Sequence, residues 1–272
     1  MDEVALMARK TQGRDQRIFE ERVGFLENKS ILAKGPGELI VEIGKLFLGT
    51  PYVASPLETK GAEHLVVDLK GYDCFAFVES AVALAWLSKS RKKSFAGFRS
   101  LLRKIRYRQG RVQGYASRLH YFSDWIHDNQ KKGILRNVTA EMGGKPLRKA
   151  VTFMTAHRDR YPSLKDEVNL RRMKSVERTI SKRSRFFIPK KILRRLEDRI
   201  REGDLIAITT KTEGLDVQHV GLAARPRNRI HLLHASSLEG MVVLSKNTLY
   251  RYLMRSKVRS GIMVARVNLP VA

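Results

Sequence analysis

Apolar residues fall into helical patterns in the first part of the chain and into strand-like patterns in the last. Residues 15–33 place Ile18, Phe19, Val23, Phe25 and Leu26 at helical spacing. "GPGELIVEIGKLFLG" sets Leu39, Ile40, Ile43, Leu46 and Phe47 on one stripe, entered after Pro36 and stopped at Gly49. A loop rich in turn residues, "TPYVASPLETKG", leads to a short strand candidate, "HLVVDL". "FAFVESAVALAWLS" is apolar on nearly every face, which predicts a helix buried inside a domain. Asp73 stands where its N-cap belongs, putting Cys74 in the first turn.

From about 90 to 200 the pattern predicts a basic, mostly helical stretch with loops at "RQGRVQGYASR", "EMGGKP" and "YPSL". After it, "GDLIAITT", "VQHVGLAA", "RIHLLHASS", "MVVLSK" and "GIMVARVN" predict an antiparallel meander, interrupted by one helix, "TLYRYLMRS". Helices first and strands later make an α+β class, and 272 residues suit one large domain.

Composition adds one unusual feature. Hydrophobic residues at 43% and charged residues at 29% describe an ordinary globular chain, but the net charge is +26. That charge predicts attraction to polyanions: nucleic acid, anionic lipid or acidic envelope polymers. The opening "MDEVALMARK" lacks a basic region followed by an apolar stretch, so no signal peptide is expected in this chain. The longest apolar run is too short to span a bilayer. A single cysteine excludes an intramolecular disulfide.

That cysteine is the first candidate for chemistry. A thiol at a helix N-terminus feels partial positive charge, which favours thiolate, although a small residue also packs well there. A nucleophile needs a base. If "RPRN" (225–228) is the loop of a hairpin, residue 224 pairs with 229 and position 219 faces 234. His219 and His234 then share one sheet face, while His231 pairs with Leu222 and points to the other. One imidazole can take the thiol proton and the second can fix its tautomer. An ordinary cross-strand contact is the plain alternative. A zinc site of Cys74, His219 and His234 would have only three scattered ligands.

These residues carry a resemblance. "YDCFAFVES", "QHVGLAA" and "LLHASS" are similar to the cysteine and histidine motifs of the NlpC-type bacterial cell-wall hydrolases, which are papain-like. "GTPYVASPLE" resembles the segment whose tyrosine approaches the nucleophile, here Tyr52. "YRQGRVQGYASRLHYFSDWIHDN" and "GDLIAITTKTEGLDVQHVGLA" bring the match closest to the N-acetylmuramoyl-L-alanine amidase branch, over most of residues 38–266. Phe75 departs from the serine that many members carry, as does the basic segment near 171–201. The resemblance implies Cys74 as nucleophile, His219 as base and His234 as its orienting partner, with no metal or organic cofactor. It implies cleavage of the amide between N-acetylmuramic acid and L-alanine, in peptidoglycan or muropeptides, by a protein of the cell envelope or periplasm. A γ-D-glutamyl-diaminopimelate endopeptidase of the same superfamily is the nearest alternative. A basic polyanion-binding module is the alternative outside enzymes.

Tyr52, Asp73, Arg118 and Trp125 are the candidates for substrate contact. Trp125 can equally be buried beside Tyr121 in a helix whose charges cap and meet solvent. Glu79, inside an apolar helix, needs a partner, and Arg118 is the expected one. The run "RRMKSVERTISKRSRFFIPKKILRRLEDRIR" reads as a solvated helix pair, with Phe186 and Phe187 as the only hint of base stacking, so no nucleic acid is expected. Anionic envelope polymers suit the same charge, and the chain is expected to be a monomer.

Overall fold

The computed structural model describes residues 3–25, 27–59 and 61–270, with side chains from residue 13 onward except at Phe25. Helices α1 (Glu3–Phe25), α2 (Lys29–Leu32) and α3 (Pro36–Lys45) precede α4 (Cys74–Ser88), followed by α5 (Phe95–Arg106) and α6 (Phe122–Lys131). The first predicted helix is divided at Asn28, whose side chain accepts from the N–H of Ser30 and opens α2. Leu26 and the side chain of Phe25 lie outside the described residues. Helix α3 ends at Lys45, short of the expected stop, and Gly49 (φ 79°) closes a turn beyond it.

The basic stretch is less helical than its pattern suggests. It continues through β1 (Leu135–Asn137), β2 (Lys145–Pro146), α7 (Phe153–Ala156), α8 (Glu167–Lys182), β3 (Phe186–Pro189) and α9 (Leu193–Leu196). Only α8 is a long helix in the run read as a helix pair. Phe186 and Phe187 sit in β3, paired with β2, and Pro189 cannot continue a helix. Side chains from this stretch, among them Phe98, Leu102, Ile105, Phe122 and Trp125, enter the same core as α3 and α4.

The C-terminal strands are β4 (Leu205–Thr210), β5 (Val217–Ala224), β6 (His231–Ser236), β7 (Met241–Thr248) and β8 (Arg259–Val267), with α10 (Leu249–Met254) before β8. The α+β class holds. The sheet is antiparallel throughout, in the order β2-β3-β8-β4-β5-β6-β7, with β1 also on β8. It is not a simple meander: β8 returns past three strands to pair with β4, Leu205 opposite Ala265.

Helices α3 and α4 cover one sheet face. A Cβ on Gly44 would come within 2.8 Å of both Leu222 and Leu233, so its absence lets α3 lie close to the strands. Phe47, Tyr72 and Phe77 meet edge to face beside this contact. The opposite face packs Ile206, Ile208 and Ile262 under Leu193, Leu249 and Leu253.

"HLVVDL" forms no strand. Its backbone is tied to side chains instead: the N–H of Leu69 donates to Asp15, the carbonyl of Val66 accepts from Arg106, and that of His64 accepts from the Tyr107 hydroxyl. These bonds take up three backbone groups that a ladder would otherwise pair.

Candidate active site

Asp73 caps α4, its carboxylate accepting from the N–H of Ala76 at 2.7 Å from an extended backbone (φ −82°, ψ 175°). Cys74 is therefore the first residue of α4, half-buried, with its sulfur against the backbone N–H groups of Val220, Cys74 itself and Phe75. Those dipoles favour thiolate, yet burial of the thiol and the adjacent Asp73 outweigh them, and its pKa is pushed up to about 12. At neutral pH the group rests as a neutral thiol.

Val220 follows His219, so β5 brings the imidazole and the sulfur's hydrogen-bond donor into the site together. Between Thr209–Val217 and Ile208–His219 the ladder shifts by one residue, a bulge at Gln218 that re-aims His219. His219 Nε2 lies 2.7 Å from His234 Nδ1, with the rings perpendicular. Burial lowers both imidazoles, His219 to about 3 and His234 to about 4. His234 then adds to the shift of His219, and the Arg259 guanidinium to both. Both rings rest neutral. The bond uses Nε2 of His219 and leaves its Nδ1 free of His234.

The expected hairpin register is wrong by two residues. Ala224 pairs with His231 and Leu222 with Leu233, so the loop runs from 225 to 230. Ile230 leaves the ladder because its N–H donates to Glu197 and its carbonyl accepts from Leu249. A shift of two preserves side-chain parity, so His219 and His234 still share a face, now as diagonal neighbours. His231 is on the other side, bonded through Nδ1 to the Ser245 carbonyl.

Tyr52 stands near Cys74: burial, then the nearby thiol and Asp73, raise its phenol above the ordinary range. The sequence reading missed Tyr252. Its ring centroid is 6.3 Å from that of His219 and 5.6 Å from that of His234, and its phenol also feels Cys74. The Arg259 guanidinium lies 3.8 Å from its ring centroid. Tyr252 reaches the site from α10, a helix after β7, and no local pattern announces that approach.

Two expectations about the surroundings fail. Glu79 pairs with Arg106 at 2.7 Å, both buried, whereas Arg118 is held by Glu58 at 2.6 Å and Glu63 at 3.2 Å. Trp125 is fully buried behind Phe75 and Phe122 and offers substrate no surface. The carboxylates on its helix are buried too: Asp124 takes Arg108 and Arg183, and Asp128 takes Lys132. Arg118 remains at the edge of the site, lining with Asp73, Phe75 and Glu58 a cavity of about 140 Å³.

Among the described residues no group of three or more His, Cys, Asp or Glu side chains is arranged to hold a metal ion, and no helix is long and apolar enough to cross a membrane.

Helices on one face of an antiparallel sheet, with a capped helix that carries the lone thiol, define an α+β protein. Residues 42–262 match the family model AmiA-like, described as N-acetylmuramoyl-L-alanine amidase-like, and the chain belongs to that family. It is similar to a crystal structure of an N-acetylmuramoyl-L-alanine amidase from Bacteroides uniformis ATCC 8492, with 38% identity and a TM-score of 0.81 over 86% of this chain and 99% of that one. A Legionella pneumophila str. Philadelphia 1 protein shares the fold at 22% identity and a TM-score of 0.68, over 99% of this chain and 97% of that one. No curated protein matches the chain.

Proposed function

We propose that the protein is a papain-like cysteine amidase that cleaves the bond between the lactyl group of N-acetylmuramic acid and L-alanine in peptidoglycan or muropeptides. The observation that carries this reading is the 2.7 Å contact between His219 Nε2 and His234 Nδ1, on the strand whose Val220 N–H meets the sulfur of Cys74. Membership of an amidase-like family supplies the substrate class.

With both groups neutral at rest, proton transfer accompanies attack rather than preceding it. His219 carries its proton on Nε2, donated to His234 Nδ1, so Nδ1 is free to take the thiol proton. The Cys74 sulfur adds to the amide carbon, and the oxyanion meets the backbone N–H of Cys74 at the head of α4. Tyr52, kept protonated by its raised pKa, donates a second hydrogen bond in this reading. The C–N bond then breaks as His219 returns the proton to the leaving amine of L-alanine. Water, deprotonated by His219, hydrolyses the thioester and regenerates the thiol. Action in the cell envelope or periplasm, with anionic envelope polymers as secondary partners, belongs to the same reading and is supported by the charge of +26.

Alkylation tests the mechanism. Iodoacetamide should stop muropeptide hydrolysis, at a rate rising on the order of tenfold per pH unit up to the high thiol pKa. EDTA should leave turnover unchanged. Inhibition by EDTA that added zinc reverses would replace the thiol mechanism with a metal-dependent one.

A further inference from the structure

Tyr252 and Arg259 stand beside the histidine pair, and a local break in the sheet puts the second of them there. Tyr252 lies on α10, packed against the sheet face that carries Ile206, Ile208 and Ile262. Its ring meets that of His234 edge-on and is tilted by 32° to that of His219. Arg259 opens β8. Along that strand Ile262 and Val264 face the α10 side, whereas Met263 and Ala265 face α3 and α4. Strict alternation would turn residue 259 toward α4, away from Tyr252. The ladder instead shifts between Thr209–Gly261 and Thr210–Arg259, which leaves Ser260 as a bulge and brings Arg259 to the α10 side.

There one side chain holds both the ring and the backbone of Tyr252. The guanidinium lies 3.8 Å from the ring centroid, and Nη1 donates to the Tyr252 carbonyl. Arg259 forms no ion pair among the described residues, and its Nε is buried with no hydrogen-bond partner among them. An unmet buried donor costs stability. What the position gains is an uncompensated cation that lowers the basicity of both imidazoles, after burial has done so. Tyr252 on α10 and Cys74 on α4 also belong to this cluster, and both rest neutral at neutral pH. The charge of Asp73 acts on Cys74 and Tyr52.

We propose that Arg259 is a positioning residue for the hydrolysis, clamping Tyr252 against His219 and His234 and keeping a positive charge beside them. The inference rests on the reading of these histidines as base and orienting partner. Rotation of either imidazole would break the 2.7 Å bond between them, and the clamped Tyr252 ring restricts that rotation. The charge acts on the proton. It opposes transfer from the thiol to His219 and assists the later transfer from His219 to the leaving amine, because an imidazolium beside a cation is a stronger acid. It also keeps the base neutral in acid solution, so activity extends to lower pH than an isolated histidine allows.

NMR titration of the histidines in the full chain, together with the pH profile of kcat/KM, tests the role. In Arg259→Gln both His219 and His234 should take up protons at a pH higher by about half a unit or more, and the acid limb of kcat/KM should move the same way. kcat should fall about tenfold with KM little changed, since the residue acts through His219 and not on substrate. Arg259→Lys keeps the charge without the planar fork, so it should titrate near wild type but still lose kcat. Tyr252→Phe, which keeps the ring, should retain at least about tenfold more activity than Tyr252→Leu. Circular dichroism checks the fold of each variant, and Arg259→Lys carries the test if Arg259→Gln does not fold. Unmoved histidine titrations in a folded Arg259→Gln protein, or wild-type kcat in Arg259→Lys, would overturn the proposal. The titrations need no turnover: if they move in a protein that cleaves no muropeptide, the place of the cation is supported and the amidase reading fails alone.

Discussion

His234 stands against Gly221, and that closeness lets its ring reach His219 diagonally across the two strands. A Cβ on Gly221 would lie 2.9 Å from the His234 Cβ and 2.8 Å from the Leu233 carbonyl oxygen. The histidine pair therefore depends on an empty position in β5 as much as on its own side chains. Gly221→Ala should displace His234 and lower kcat on the order of 10²-fold, as a misplacement near 1 Å can. Steady-state kinetics checks this, with circular dichroism to show the fold retained. Turnover at the wild-type rate would mean that the pair's spacing is not used.

The three sheet histidines should rank in a fixed order. His219→Ala should remove nearly all activity, because the thiol loses its base. His234→Gln should retain measurable turnover, since an amide can still accept from Nε2 of His219. His231→Gln should stay near wild type, as His231 is bonded to the Ser245 carbonyl on the other side of the strand. Kinetics on the three variants gives the ranking directly. An essential His231 with a dispensable His234 would reassign the orienting role.

The two site histidines should also shape stability in acid. Their folded pKa values, about 3 and about 4, lie below the ordinary 6.5, so below that pH the unfolded chain binds protons that the folded chain refuses. The stability they contribute is complete above about 6.5 and is lost as pH falls toward the folded values. A His219→Gln, His234→Gln double variant should therefore lose less stability than wild type between about pH 7 and pH 5. Urea midpoints across that range measure the difference. Parallel losses in the two proteins would show that the imidazoles are not held neutral by the fold.

Removing one partner of the buried Arg106–Glu79 pair should be costly. Arg106→Ala strands a carboxylate inside α4 and also releases the Val66 carbonyl, so a loss of about 3–5 kcal/mol is expected from urea unfolding. The double variant Arg106→Met, Glu79→Leu should recover most of it.

The legible parts of the site were those with local causes. Asp73 caps α4 through its own backbone neighbourhood, so the place of Cys74 followed from "YDCF". The shared face of His219 and His234 survived a wrong register because the error was two residues, which keeps parity. What stayed hidden was set by distant contacts. Glu197 pulls Ile230 out of the hairpin from 33 residues away, and Asp15 and Arg106 take the hydrogen bonds that would have made "HLVVDL" a strand. Glu58 and Glu63 claim Arg118 before Glu79 can. Tyr252 enters the site on a helix whose position depends on β8 inserting beside β4, a step no meander pattern contains.

The central claim is that the lone thiol performs the hydrolysis, and Cys74→Ala on a defined muropeptide, read by mass spectrometry, tests it most directly. Wild type should release the N-acetylmuramic acid part with its lactyl carboxylate free and a peptide beginning with an L-alanine amine. The variant should release neither, with circular dichroism and thermal unfolding unchanged, since alanine fits the first turn of α4. Equal product formation by a folded Cys74→Ala protein would contradict the account.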